Sequence, residues 1–154
     1  KVFLAVYIYI LHATDLEEEC TRYTSLLSQF PTDIVCLGIG ENGHIAFNDP
    51  DVANFNDHKL VKIVKLDHVC RQQQVNEKCF ETLEQVPTEA LTLTIPALLK
   101  AKWMFCIVPF KNKSQAVYRT IHGDISEKCP ASILRRKEKS SLYLDTESAQ
   151  LLNL

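Results

Sequence analysis

Short apolar runs recur along the chain between stretches with helical periodicity, and this alternation limits the fold more than any other feature. Residues 2–11 read as a strand rich in Val, Ile, Tyr and Phe. Further strands are expected at Asp33–Leu37 (DIVCL), 60–66 (LVKIVKL), Ala90–Ile95, Trp103–Val108 and Ser141–Leu144. A helix over 15–29 is opened by Thr14/Asp15 and stopped before Pro31. A second helix is expected over 71–84, a short one between the strands at 90–95 and 103–108, and another over Lys113–Ile121, ended by Gly123. DIVCL is the kind of run that a parallel sheet buries on both faces. The pattern predicts an α/β fold: an open, mainly parallel sheet with helices on both faces, binding its ligand beyond the carboxyl ends of the strands. A length of 154 residues fits a single α/β domain, 1–154, able to bury a real core.

Charge and cysteine content narrow the function classes. The net charge is -2, with no basic footprint for nucleic acid. Arg135, Arg136 and Lys137 read as a solvated face. No run of about 18 apolar residues exists, so no membrane partner is expected. The apolar opening KVFLAVYIYIL lacks a small-residue cleavage site and runs into Asp15 and Glu17–Glu19, which favours a strand over a signal peptide. The six cysteines form no C-x-x-C pair, and Cys36 and Cys106 sit inside apolar runs. Free thiols in a reducing cytoplasm are expected, with no metal bound through them. Trp103 and the Phe and Tyr residues at strand spacing read as core, and His12, His58, His68 and His122 as surface or loop residues.

The densest chemistry lies in residues 38–50, GIGENGHIAFNDP. Its start satisfies G-x-G-x-x-G, the dinucleotide fingerprint, but Pro50 follows Gly43 by only seven residues, leaving no room for the long helix that motif opens. A loop shaped around a polar ligand fits better. Gly40 and Gly43 permit positive φ and let backbone N–H groups approach an oxyanion or hydroxyl. His44 follows the turn directly, flanked by Asn42 and Asp49. Imidazole moves protons near neutral pH, and a neighbouring carboxylate fixes its tautomer and favours its charged form.

This motif resembles the signature of glucosamine-6-phosphate deaminases, and the likeness extends through VPTEALTLTIPALLKA (86–101) and MFCIVPFKNKSQAVYRTIHG (104–123). It covers roughly residues 12–148 and corresponds to the C-terminal part of such proteins, a modified Rossmann-like fold. The resemblance implies conversion of glucosamine 6-phosphate to fructose 6-phosphate and ammonia, without metal or organic cofactor. A histidine at the position of His44 assists ring opening, an acidic residue at that of Asp49 orients it, and a carboxylate elsewhere abstracts the C2 proton. The family usually has aspartate where this chain has Asn42 and glutamate where it has Asp49. Asn42 can hydrogen-bond to imidazole but cannot stabilise imidazolium as a carboxylate does. Lys113 matches a phosphate-binding lysine of the family, at a helix start that independently favours an anion. Arg71 and Lys78 both lie near a second family phosphate ligand, with the arginine fork the better suited.

The family's glycine/serine-rich phosphate loop and its aspartate-glutamate-tyrosine base motif have no match in residues 1–36. Missing them, the chain alone is expected to retain residual activity at most. The expected partners are an amino-sugar phosphate and, through exposed strand edges, a second copy of the chain in a homo-oligomer. Alternative readings are a galactosamine-6-phosphate isomerase, a 6-phosphogluconolactonase-like hydrolase or a non-catalytic sugar-phosphate-binding domain.

Overall fold

A computed structural model describes residues 15–153, so the strand expected over residues 2–11 and His12 lie outside the described residues. Helix α1 (Leu16–Gln29) begins where the sequence places it, because the Asp15 carboxylate accepts from the backbone N–H groups of Glu17 and Glu18. Glu17–Glu19 then place negative charge on the positive end of the helix dipole. Three strands make a parallel sheet in the order β1 (Ile34–Leu37), β4 (Trp103–Val108), β5 (Ser140–Leu144). The remaining two, β2 (Val61–Lys65) and β3 (Glu89–Leu93), form a separate antiparallel ribbon. Thr94 caps the short helix α3 (Ile95–Leu99). Helix α4 (Ser114–His122) is stopped at Gly123, where an added Cβ would lie 2.6 Å from the Arg119 carbonyl oxygen. No helix among the described residues is long and apolar enough to cross a membrane.

The core sits on one face of the parallel sheet. Met104, Cys106 and Val108 alternate inward along β4 and pack with Ile39, Ile45, Ile95, Val117 and Ile133. Each such buried side chain contributes about 1.5–3 kcal/mol. The opposite face is not covered among the described residues. Ile34 on β1, Trp103 and Ile107 on β4 and Tyr143 on β5 are all roughly half exposed, in register across the sheet. DIVCL is thus not buried on both faces, and Trp103 and Tyr143 are not core. Apolar content alone did not distinguish a face that is covered from one that could be.

Two other expectations change. The helix expected over 71–84 is α2, His68–Asn76, starting three residues earlier and ending eight earlier. Asp67 sets its start by accepting from the Cys70 N–H, and Lys78, at φ 59°, turns the chain out of it. The basic run is also not merely solvated. Arg135 donates to the carbonyls of Ile121 and Gly123 at the end of α4, and Lys137 to that of Leu99. The cysteines are free, and His58, His68 and His122 are exposed.

Candidate active site

The loops leaving β1 and β4 meet because the two strands are parallel neighbours with Leu37 opposite Cys106. Between these loops and α2 lies a cavity of about 390 Å³. That is within the usual range for a small-molecule site. The loop after β1 supplies Gly40 and His44, α2 and its C-cap supply Gln73 and Glu77, and the loop after β4 supplies Phe110 and Lys113.

His44 is 7% exposed, and its Nδ1 lies 2.9 Å from Oδ1 of Asp49, itself 1% exposed. The approach is close but off-line, and Nδ1 has no aligned hydrogen-bond partner. The loop is tied back on itself by the Gly40 N–H to the His44 carbonyl, the Gly43 N–H to the Gly40 carbonyl, and the His44 N–H to Oδ1 of Asn42. Gly40 lies under the imidazole: an added Cβ would sit 2.2–2.4 Å from three ring atoms. Gly43, at φ +94°, needs the left-handed region and also passes close to Cys129, whose Sγ would be 2.9 Å from an added Cβ. Both glycines therefore shape the loop and seat the histidine.

Asn42 has a role that the sequence did not indicate. Its amide nitrogen donates both to Oδ1 of Asp49 (2.9 Å) and to Oδ2 of Asp67 (2.7 Å). An aspartate at this position would set a third carboxylate against those two, so the asparagine suits the presence of Asp67. The Asp67 N–H in turn donates to Oδ2 of Asp49 at 3.2 Å. Burial alone would raise the Asp49 carboxyl, but His44, Asn42 and the Asp67 N–H together hold it below its ordinary value. The network thus keeps Asp49 a carboxylate beside the imidazole.

The buried thiol of Cys70 completes this cluster, and the ligand atoms of His44, Asp49 and Cys70 all lie within 4.8 Å of one another. Burial first, then Asp49 and Asp67, push the thiol up to about 12. At neutral pH the thiol is protonated and packs against the pair.

Lys113 precedes α4 and is 5% exposed, with its Nζ 3.1 Å from Oε1 of Glu77. Gln73 Nε2 donates to the same carboxylate oxygen at 2.9 Å, while its Oε1 accepts from the Glu41 N–H. Arg71 and Lys78 are not in the cavity. The Arg71 guanidinium donates to the carbonyls of Leu83 and Val86, clamping the turn after α2, and Lys78 lines a separate hollow with Phe80 and Gln85. Helix α2 starts three residues before the expected position, and the positions it presents to the cavity are Gln73 and Glu77. Asp67, Gln73 and Glu77 were not singled out from the sequence. An aspartate at a helix start and an i, i+4 pair were the available signals. Phe110, at the rim, is 62% exposed with φ 78°, a backbone region that favours glycine.

The family of glucosamine-6-phosphate isomerases and 6-phosphogluconolactonases matches residues 5–143. A glucosamine-6-phosphate deaminase of Bacillus cytotoxicus is 40% identical over 149 residues, covering 97% of this chain and 55% of the relative. One of Listeria monocytogenes is 39% identical over 152 residues, covering 99% and 63%. The chain therefore spans between about half and just under two thirds of the length of these curated relatives. A solved monomeric glucosamine-6-phosphate deaminase superposes with a TM-score of 0.86 at 38% identity, covering 94% of this chain and 58% of that one. The 6-phosphogluconolactonase from Leishmania guyanensis shares the fold, with a TM-score of 0.67 at 20% identity over 90% of this chain and 53% of its own.

Proposed function

Because this chain belongs to the family of glucosamine-6-phosphate isomerases and 6-phosphogluconolactonases, we propose that it carries the ring-opening half of a glucosamine-6-phosphate deaminase site. The observation that carries this reading is the His44–Asp49 pair, 2.9 Å apart, at the wall of a cavity that also holds a buried lysine. Asp49 faces Nδ1, which leaves Nε2 as the nitrogen turned away from it. In this reading Nε2 takes the proton of the sugar C1 hydroxyl and returns it to the ring oxygen as the C1–O5 bond breaks, giving the open aldehyde. The C2 proton then moves to C1, and water replaces the amine at C2, releasing ammonia and fructose 6-phosphate.

Proton transfer from C2 needs a second carboxylate. Of the described carboxylates, Glu77 lines the cavity and is held by Lys113, and Asp49 behind His44 is enclosed by its partners. We assign the base to sequence beyond these residues. Lys113 is the candidate phosphate ligand, and the free thiols suit a cytoplasmic location. The deciding assay is ammonia release from glucosamine 6-phosphate and galactosamine 6-phosphate by the full-length protein, with His44→Ala as control. Ammonia from either sugar, lost in the variant, is the expected result. Ammonia from neither would sink the deaminase reading.

A further inference from the structure

Lys113 and Glu77 form an ion pair inside the cavity, and neither is explained by the His44–Asp49 chemistry. Lys113 is the sole Lys or Arg among the described lining residues, and its ammonium is already neutralised by Oε1 of Glu77 at 3.1 Å. The same oxygen accepts from Gln73 Nε2 at 2.9 Å. One carboxylate oxygen thus sits between a buried cation and a buried amide donor. That is the arrangement expected of a phosphate oxygen, which would seek the same donors.

The two partners differ in how firmly they are held. The Lys113 side chain is 7% exposed and the Glu77 side chain 42%. Gln73 is 7% exposed and is anchored at its other end by the Glu41 N–H. Glu77 also stands at the C-cap of α2, outside the regular helix. Of the groups in this contact, the carboxylate is therefore the one nearest solvent, and the buried ammonium it would leave calls for another anion in its place. The lysine and the amide would stay in place.

We infer that Glu77 is a built-in competitor for the substrate phosphate, occupying the anion position on Lys113 and Gln73 until the phosphate displaces it. This rests on the phosphosugar reading of the cavity. When Glu77 swings out, one ammonium and one amide N–H become available together, so the arriving dianion inherits two placed donors. While Glu77 stays in, it excludes anions by charge and by occupancy. The residue then tunes how tightly the site holds phosphate groups, both of substrate and of product, without touching the reacting carbons.

The test is titration of the full-length protein with inorganic phosphate and, separately, sulfate by calorimetry. Wild type, Glu77→Gln, Lys113→Ala and the double variant are compared. Glutamine keeps the shape of residue 77 and removes its charge, so Glu77→Gln is expected to bind either anion about tenfold tighter. Lys113→Ala should weaken binding, and in its background Glu77→Gln should bring no gain, because there is no longer a cation to compete for. Unchanged affinity in Glu77→Gln, with binding still dependent on Lys113, would overturn the competitor role and leave the phosphosugar reading intact. The same holds if Glu77→Gln binds more weakly, which would make Glu77 a positioning residue for the lysine. No binding to wild type or Glu77→Gln at millimolar anion would sink both. A gain that persists in the Lys113→Ala background would assign the effect to general charge and also overturn the inference.

Discussion

His44, backed by Asp49, and the Lys113–Glu77 pair line one cavity, yet the two acidic residues are held in different ways. Asp49 is 1% exposed and is fixed by Asn42, His44 and the Asp67 N–H, each of which is itself tied to a turn or a helix start. Glu77 has a side chain 42% exposed and is held by the ends of two long side chains, Lys113 and Gln73. A group that must act on one atom of a substrate gains from pre-organisation. A group that only has to yield to a ligand gains from being loose. Asp49 and Glu77 differ in just this respect, one buried and fixed, the other half-exposed and loosely held.

The contrast is broken most severely at Gly40. Alanine there would force its methyl into the space of the imidazole, 2.2–2.4 Å from the ring atoms. Displacement of a proton-shuttling group by about 1 Å commonly costs about 10²-fold. Gly40→Ala is therefore expected to lower kcat at least that much while the melting temperature changes little, since the ring can swing into the cavity. A variant with wild-type kcat would show that the seat of His44 is not rigid.

Asp49→Asn is next. Both carboxylate oxygens of Asp49 face donors, the Asn42 amide at one and the Asp67 N–H at the other. An asparagine must turn its own NH₂ to one of them, leaving a buried clash of donors worth about 1–3 kcal/mol. The pH dependence gives a second readout. Because the folded protein holds the Asp49 carboxyl below its ordinary value, the residue adds stability that is fully present above about pH 3.9. That stability is lost as the pH falls through the folded-state value. Chemical denaturation across pH 2–6 should show a shallower acid limb in Asp49→Asn than in wild type. An identical acid slope would mean that the charge of Asp49 is not stabilising.

Asn42 tests whether the network depends on this particular set of partners. Asn42→Asp brings a third carboxylate against Asp49 and Asp67. It is expected to cost about 1–3 kcal/mol at neutral pH. Adding Asp67→Asn should restore the part that comes from the 42–67 contact, since the amide at 67 can donate to the new carboxylate, while the contact with Asp49 Oδ1 stays repulsive. Equal losses in the single and double variants, measured by urea unfolding, would remove the coupling argued here.

Much of this was legible in the residues, for reasons that can be named. The strands at 34–37, 61–65, 89–93, 103–108 and 140–144 were visible because apolar runs between turn residues carry their own signal. The loop 38–50 stood out because glycine, histidine and acidic residues rarely crowd together without a local reason. The bounds of α2 differ from the expected ones because its start depends on one capping bond from Asp67 and its end on the positive φ of Lys78, neither of which leaves a periodic trace. Arg71 was a reasonable phosphate ligand by chemistry, but its guanidinium is spent on two backbone carbonyls. Burial was the hardest to read. Trp103 and Val108 share a strand and an apolar character, and only the packing around them separates the half-exposed residue from the buried one.

The smallest expected effect concerns the rim, where the loose side of the comparison has its own cost. Phe110 holds φ 78° and ψ 146°, a region open to glycine and strained for a residue with a Cβ. The residue is 62% exposed, so little packing compensates. Its N–H nevertheless donates to Oδ2 of Asp145 at 3.0 Å, which holds the turn in place from the backbone alone. Phe110→Gly keeps that bond and relieves about 1–3 kcal/mol of strain. It also gives the unfolded chain about 0.5–1 kcal/mol of added freedom. A net gain of about 1 kcal/mol is expected, read as a higher urea midpoint with an unchanged slope. A lower midpoint would show that the exposed ring is held by contacts stronger than its exposure implies.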